Sequence, residues 1–135
     1  MENKPTLLYV NHNLKSRRLL ASILEQCGFE VITAPGPVEV IELIASVSFD
    51  LVLLSYHLPQ MTGAQLAQEV KALEPGLPVV LLSGLNSPPA GELLYVDAHL
   101  GHSSTVEDLT DIIRALIQPE ESAWESSPFL HPKAS

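Results

Sequence analysis

Short apolar runs alternate with amphipathic stretches along most of this chain, and the alternation predicts its elements. Residues 6–10 read as a first strand. Residues 14–27 read as a helix, because Leu20, Ile23, Leu24 and Cys27 recur at helical spacing, Asn13 suits an N-cap and Gly28 suits a stop. Residues 29–33 read as a second strand. The breaker Ala34-Pro35-Gly36-Pro37 precedes a short helix carrying Val38, Ile41, Ile44 and Ala45. A buried-strand run, Leu51 to Leu54, ends at Ser55. Thr62 and Gln65 form a capping-box pattern that opens a helix reaching about Leu73, and Glu74-Pro75-Gly76 ends it. Residues 78–82 read as a fourth strand.

The signal weakens after Ser83-Gly84. Ser87-Pro88-Pro89 can start a helix, but Gly91 falls inside it, so a frayed fourth helix of about two turns is expected. Residues 97–100 read as a short fifth strand. Ser104 and Glu107 suggest another capping box before a strongly amphipathic last helix with a stripe of Val106, Leu109, Ile112, Ile113, Leu116 and Ile117. Five strand–helix alternations with continuous apolar strands imply a parallel sheet covered on both faces. The expected fold is α/β, a flavodoxin-like (βα)5 three-layer sandwich with strand order 2-1-3-4-5. In such sheets the functional crevice lies at the carboxyl ends of the strands, here after Val10, Leu54, Leu82 and Leu100.

Composition narrows the function. The chain has 135 residues, 46% of them hydrophobic, which suits one domain with a real core. Residues 1–118 are assigned to that domain. Residues 119–135, acidic and rich in Pro and Ser, are expected to form a disordered tail, with Trp124, Phe129 and Leu130 as its only large apolar side chains. Sixteen acidic residues against seven Lys and Arg give a formal charge of −9. That disfavours nucleic acid and anionic membrane surfaces, since phosphate contacts need clustered bases. Cys27 is the only cysteine, so no intrachain disulfide is expected and an inert core thiol is. The apolar run from Leu7 to Val10 is too short for a signal peptide or a spanning helix, and a cytoplasmic location is expected.

The segment FDLVLLSYHLPQMTG, from Phe49 to Gly63, resembles the acceptor segment of bacterial response-regulator receiver domains, which typically reads DLVLLDxxMPxMDG. The resemblance covers roughly residues 5–117. It implies a strand ending in the aspartate that takes a phosphoryl group, and Ser55 stands there. It implies an acidic pair after the first strand that binds magnesium, and Asn11 and His12 stand there, in LLYVNHN. It implies a Thr or Ser after the fourth strand, which Ser83 satisfies. It implies a lysine after the fifth strand and an aromatic switch three residues before it, where His102 and His99 stand.

These departures form one set. Receiver chemistry needs a carboxylate nucleophile and a divalent cation to neutralise developing charge. Magnesium prefers carboxylates and waters. An amide, a hydroxyl and an imidazole make a poor site, so no metal and no cofactor are expected. Aspartates at 11, 12 and 55 together are expected to lower metal-free stability and create a magnesium site.

The resulting expectation is a pseudo-receiver that is not an enzyme: a phosphorylation-independent signalling module of a bacterial two-component-type system. Its partner would be a histidine kinase, an output protein or a second copy, met through the fourth helix, fifth strand and fifth helix. The cluster Lys15, Arg17 and Arg18 is a second candidate surface, for an acidic partner. The alternative is a divergent phosphorelay receiver regulated by a ligand or soft metal at the old pocket, His12, His57 and His102 being the metal candidates. A hydrolase built on Ser55 with His12 or His102 lacks an orienting acid and a Gly-x-Ser-x-Gly elbow. His99 and His102 are also candidates for titration near neutral pH.

Overall fold

The computed structural model describes residues 4–84, 88–101 and 104–117. Five strands are present: β1 (Thr6–Val10), β2 (Glu30–Ala34), β3 (Leu51–Ser55), β4 (Val79–Leu82) and β5 (Ala98–Leu100). Four α-helices accompany them: α1 (Leu14–Gln26), α2 (Pro37–Ser46), α3 (Gly63–Leu73) and α4 (Val106–Ile117). All strand pairings are parallel and the order is β2-β1-β3-β4-β5, as the alternation predicts.

The strand period of two sorts the core into layers. Leu7, Tyr9, Leu51 and Leu53 point to one side and pack with Leu24 of α1 and with Leu109, Ile112 and Ile113 of α4. Leu8, Val10, Val52 and Leu54 point to the other side and pack with Val40 and Ile44 of α2 and with Leu66, Ala67 and Val70 of α3. Both faces of β1 and β3 are therefore buried between Leu7 and Val10 and between Leu51 and Leu54, which is why these runs carry no charged residue.

Local chemistry fixes the helix ends. The Asn13 side chain accepts from the Ser16 N–H. Thr62 and Gln65 make a reciprocal capping box at α3. Gly28 takes φ +100° after α1, a conformation that favours glycine, and its N–H donates to the Glu25 carbonyl. The box before α4 sits one residue later than the sequence suggested. The Thr105 hydroxyl accepts from the Asp108 N–H at 3.0 Å, and the Asp108 carboxylate accepts from the Thr105 N–H at 2.9 Å. Here the shorter aspartate side chain fills the place that a glutamate usually takes.

The expected two-turn fourth helix is instead a single 3₁₀ turn, Ala90–Leu93. Pro89 sits at the N-cap, where its missing N–H costs nothing, and Gly91 inside the turn weakens any continuation.

Two tertiary ties join elements distant in sequence. Lys71 Nζ lies 2.7 Å from Asp97 Oδ2 and also donates to the Leu77 carbonyl at 2.7 Å. The same carboxylate oxygen accepts from the Val79 N–H at 2.8 Å, so one acid joins α3, β4 and the start of β5. Arg114 lies 5.3 Å over the Phe29 ring and donates to the Cys27 carbonyl at 3.0 Å, fastening α4 to the end of α1. Cys27 itself is partly buried beside the core. Among the described residues no helix is long and apolar enough to cross a membrane.

Candidate functional site

The parallel sheet delivers the ends of β1, β3, β4 and β5 to one rim. Asn11 follows β1, Ser55 closes β3, Ser83 follows β4 and His99 lies in β5. The structure thus brings four of the expected site residues to one edge. His12 stands at the same edge but is exposed, beside Pro35, Glu39, Pro59 and Gln60. His102 lies outside the described residues, as do Trp124, Phe129 and Leu130.

Asn11 is tied on all sides. Its backbone N–H donates to the Ala34 carbonyl at 3.1 Å. Its side-chain Oδ1 accepts from the Asn13 N–H at 2.9 Å, forming an Asx turn into α1. Because a backbone N–H can only donate, this contact fixes the oxygen, and the amide nitrogen faces the other way. That nitrogen donates to the Tyr9 hydroxyl at 2.7 Å. Burial pushes the Tyr9 phenol above its ordinary range, while hydrogen bonds from Asn11 and Ser55 and the Arg17 charge act in the opposite direction. Arg17 Nη1 donates to the Asn11 carbonyl at 2.9 Å.

Sequence reasoning missed Tyr9 and Arg17. Tyr9 reads as an ordinary strand residue, although its place two before Asn11 puts both side chains on one side of β1. Arg17 reads as part of a solvated basic cluster. It is half-buried and folds back over the crevice, leaving Lys15 and Arg18 exposed.

On the β4–β5 side, Ser83 Oγ and His99 Nε2 lie 2.7 Å apart. The Ser83 N–H donates to the Leu100 carbonyl at 3.0 Å, so backbone and side chain both join the two strand ends. A cleft of about 220 Å³ opens beside them, between Leu20, Leu82, Leu100 and Leu109. In the turn after Ser55, the Tyr56 hydroxyl donates to Glu92 at 2.6 Å, linking β3 to the 3₁₀ turn. His57 is exposed, its ring edge-on to Tyr56. The backbone after Ser55 also requires Gly63. Its N–H donates to the Tyr56 carbonyl at 2.7 Å. Any Cβ there would collide with the Ser55 carbonyl oxygen.

The donor set does not suit a hard divalent cation. Magnesium is usually held through one or two carboxylates, with several waters retained. Here the crevice presents an amide NH₂, a phenol, a serine hydroxyl and a guanidinium. Among the described residues no group of three His, Cys, Asp or Glu is placed to hold a metal.

Residues 7–100 match the family model of the response regulator receiver domain. Over 90 residues the chain is 32% identical to the transcriptional regulatory protein GlrR of Escherichia coli (strain K12), covering 66% of this chain and 20% of that protein. It is 27% identical over 111 residues to the autoinducer 1 sensor kinase/phosphatase LuxN of Vibrio harveyi, covering 81% of this chain and 13% of that protein. The chain therefore spans a fifth or less of the length of these two relatives. The response regulator protein TrrA of Thermotoga maritima, in complex with Mg²⁺-BeF, has a TM-score of 0.76 at 24% identity, covering 83% of this chain and 98% of that one. A structure of the histidine kinase ThkA in complex with TrrA gives 0.77 at 23% identity, covering 83% and 97%. These two likenesses share the fold.

Proposed function

This chain belongs to the response regulator receiver domain family, and from that premise we propose that it signals by protein–protein contact without taking a phosphoryl group. The observation that carries the proposal is the chemistry of the rim. Where phosphoryl transfer to a receiver needs a carboxylate nucleophile beside a metal-binding acidic pair, this chain has Ser55, Asn11 and His12. A serine hydroxyl is a far weaker phosphoryl acceptor than a carboxylate, and the Asn11 side chain is already occupied at both ends. The remaining positions, Ser83 and His99, hold each other directly. The position of His102 belongs to the same proposed pocket. In this reading residues 1–118 form the receiver-like unit and residues 119–135 a tail.

A binding role, not catalysis, follows from the same chemistry. The partner would be a histidine kinase, an output protein or a second copy, in the cytoplasm of a bacterial two-component-type system. The complex of ThkA with TrrA is a precedent for the first of these, TrrA sharing the fold of this chain. The proposed contact face comprises the 3₁₀ turn, β5 and α4. Leu94 is 79% exposed and Tyr95 41% exposed between the turn and β5, and Val106 is exposed at the start of α4. Large apolar side chains exposed on these elements favour a partner surface.

The test is capture from a native bacterial extract by the tagged chain, with and without magnesium and beryllium fluoride. The proposal expects the same proteins at the same yield in both conditions and reduced recovery with Leu94→Asp. Capture that depends on beryllium fluoride would count against it.

A further inference from the structure

We infer that Tyr9 closes the crevice to divalent cations, so that the missing acids are only half of the barrier. The inference rests on reading the crevice as an altered receiver pocket, and it goes beyond that reading by assigning a role to a residue outside the motif.

Tyr9 is 3% exposed, and its ring packs in the cluster that contains Leu53, Leu100 and Ile113. It pairs with Leu53 across β1 and β3. Ser55 lies two residues beyond Leu53 and Asn11 two beyond Tyr9, so the side chains at 9, 11 and 55 share one side of the sheet. The phenol oxygen is the common partner of the Asn11 amide and the Ser55 side chain. It therefore stands between the two positions that a metal ligand and an acceptor carboxylate would take.

The hydroxyl cannot withdraw while its ring stays packed, because a close-packed interior has no vacant volume for it. Magnesium keeps several waters and near-octahedral geometry, so it needs the volume this oxygen fills. Arg17 adds a fixed positive charge whose field reaches the phenol. Size and charge both oppose a cation before any carboxylate is considered. Restoring the three acids alone would leave the obstacle in place.

The test compares three full-length chains by isothermal titration with magnesium chloride, folding being checked by circular dichroism. The first carries Asn11→Asp, His12→Asp and Ser55→Asp. The second adds Tyr9→Phe, which keeps the ring and its packing. The third adds Tyr9→Val, which removes both ring and hydroxyl. About tenfold tighter magnesium binding, or more, in either Tyr9-substituted chain supports the inference, a size typical of groups that act around a metal's direct ligands. Equal affinity in all three, or no binding in any, overturns it. The Phe chain decides the matter where the Val chain does not fold. None of these results bears on whether the native chain accepts phosphate, so this inference and the functional proposal can fail separately.

Discussion

The Asn11 side chain donates to the hydroxyl of Tyr9, two residues back in β1, at 2.7 Å. This bond lies at the crevice, partly buried, where a lost partner is not fully replaced by water. Tyr9→Phe removes the acceptor and keeps the ring. We expect a loss of about 1 kcal/mol in urea unfolding, with an unchanged slope. A loss near zero would mean that solvent takes over the Asn11 amide freely.

The phenols give a pH dependence. Tyr9 is raised above 10.0 chiefly by burial, and Tyr56 chiefly by its hydrogen bond to Glu92. A folded-state value above the unfolded one gives stability that is complete below about pH 10 and is lost as pH rises through the folded-state value. Native stability should therefore fall more steeply on the alkaline side than that of a Tyr9→Phe, Tyr56→Phe double variant. Parallel curves for the two chains above pH 10 would remove this account.

Asp97 is 4% exposed and meets Lys71 at 2.7 Å. Truncating one member of a buried pair leaves the other charge without its compensation, at a cost of about 3–5 kcal/mol. Lys71→Met should cost that much, and adding Asp97→Asn should recover part of it. A double variant no more stable than Lys71→Met would show that the carboxylate's charge is not what the lysine compensates.

Much of the fold was legible in the sequence because its signals are local. The five apolar runs marked the strands, and Asn13 and the Thr62–Gln65 pair marked helix starts. The fourth helix is shorter than its Pro88-Pro89 start implies, because Gly91 falls inside its first turn. The crevice was half legible. Motif spacing located Asn11, Ser55, Ser83 and His99, while Tyr9 was hidden by looking like core. The alternation that places 9 and 11 on one side was available and is the signal that finds it. Arg17 and the Lys71–Asp97 pair carry no local pattern: one depends on a side chain turning inward, the other on residues 26 apart in sequence.

A rim with no carboxylate at positions 11, 12 and 55 should ignore magnesium. The melting temperature of the native chain is expected to be the same with and without millimolar magnesium, since a ligand that binds the folded state at 100 times its Kd adds about 2.7 kcal/mol. Aspartates at 11, 12 and 55 should lower metal-free stability, because two such charges about 4 Å apart repel by about 4 kcal/mol at an effective dielectric near 20. A native chain stabilised by magnesium would show that a cation site had been overlooked.

The most direct measurement is the intact mass of the native chain after incubation with acetyl phosphate and magnesium. The account expects an unchanged mass. A gain of one phosphoryl group, lost again under the mild alkaline conditions that cleave acyl phosphates, would contradict it.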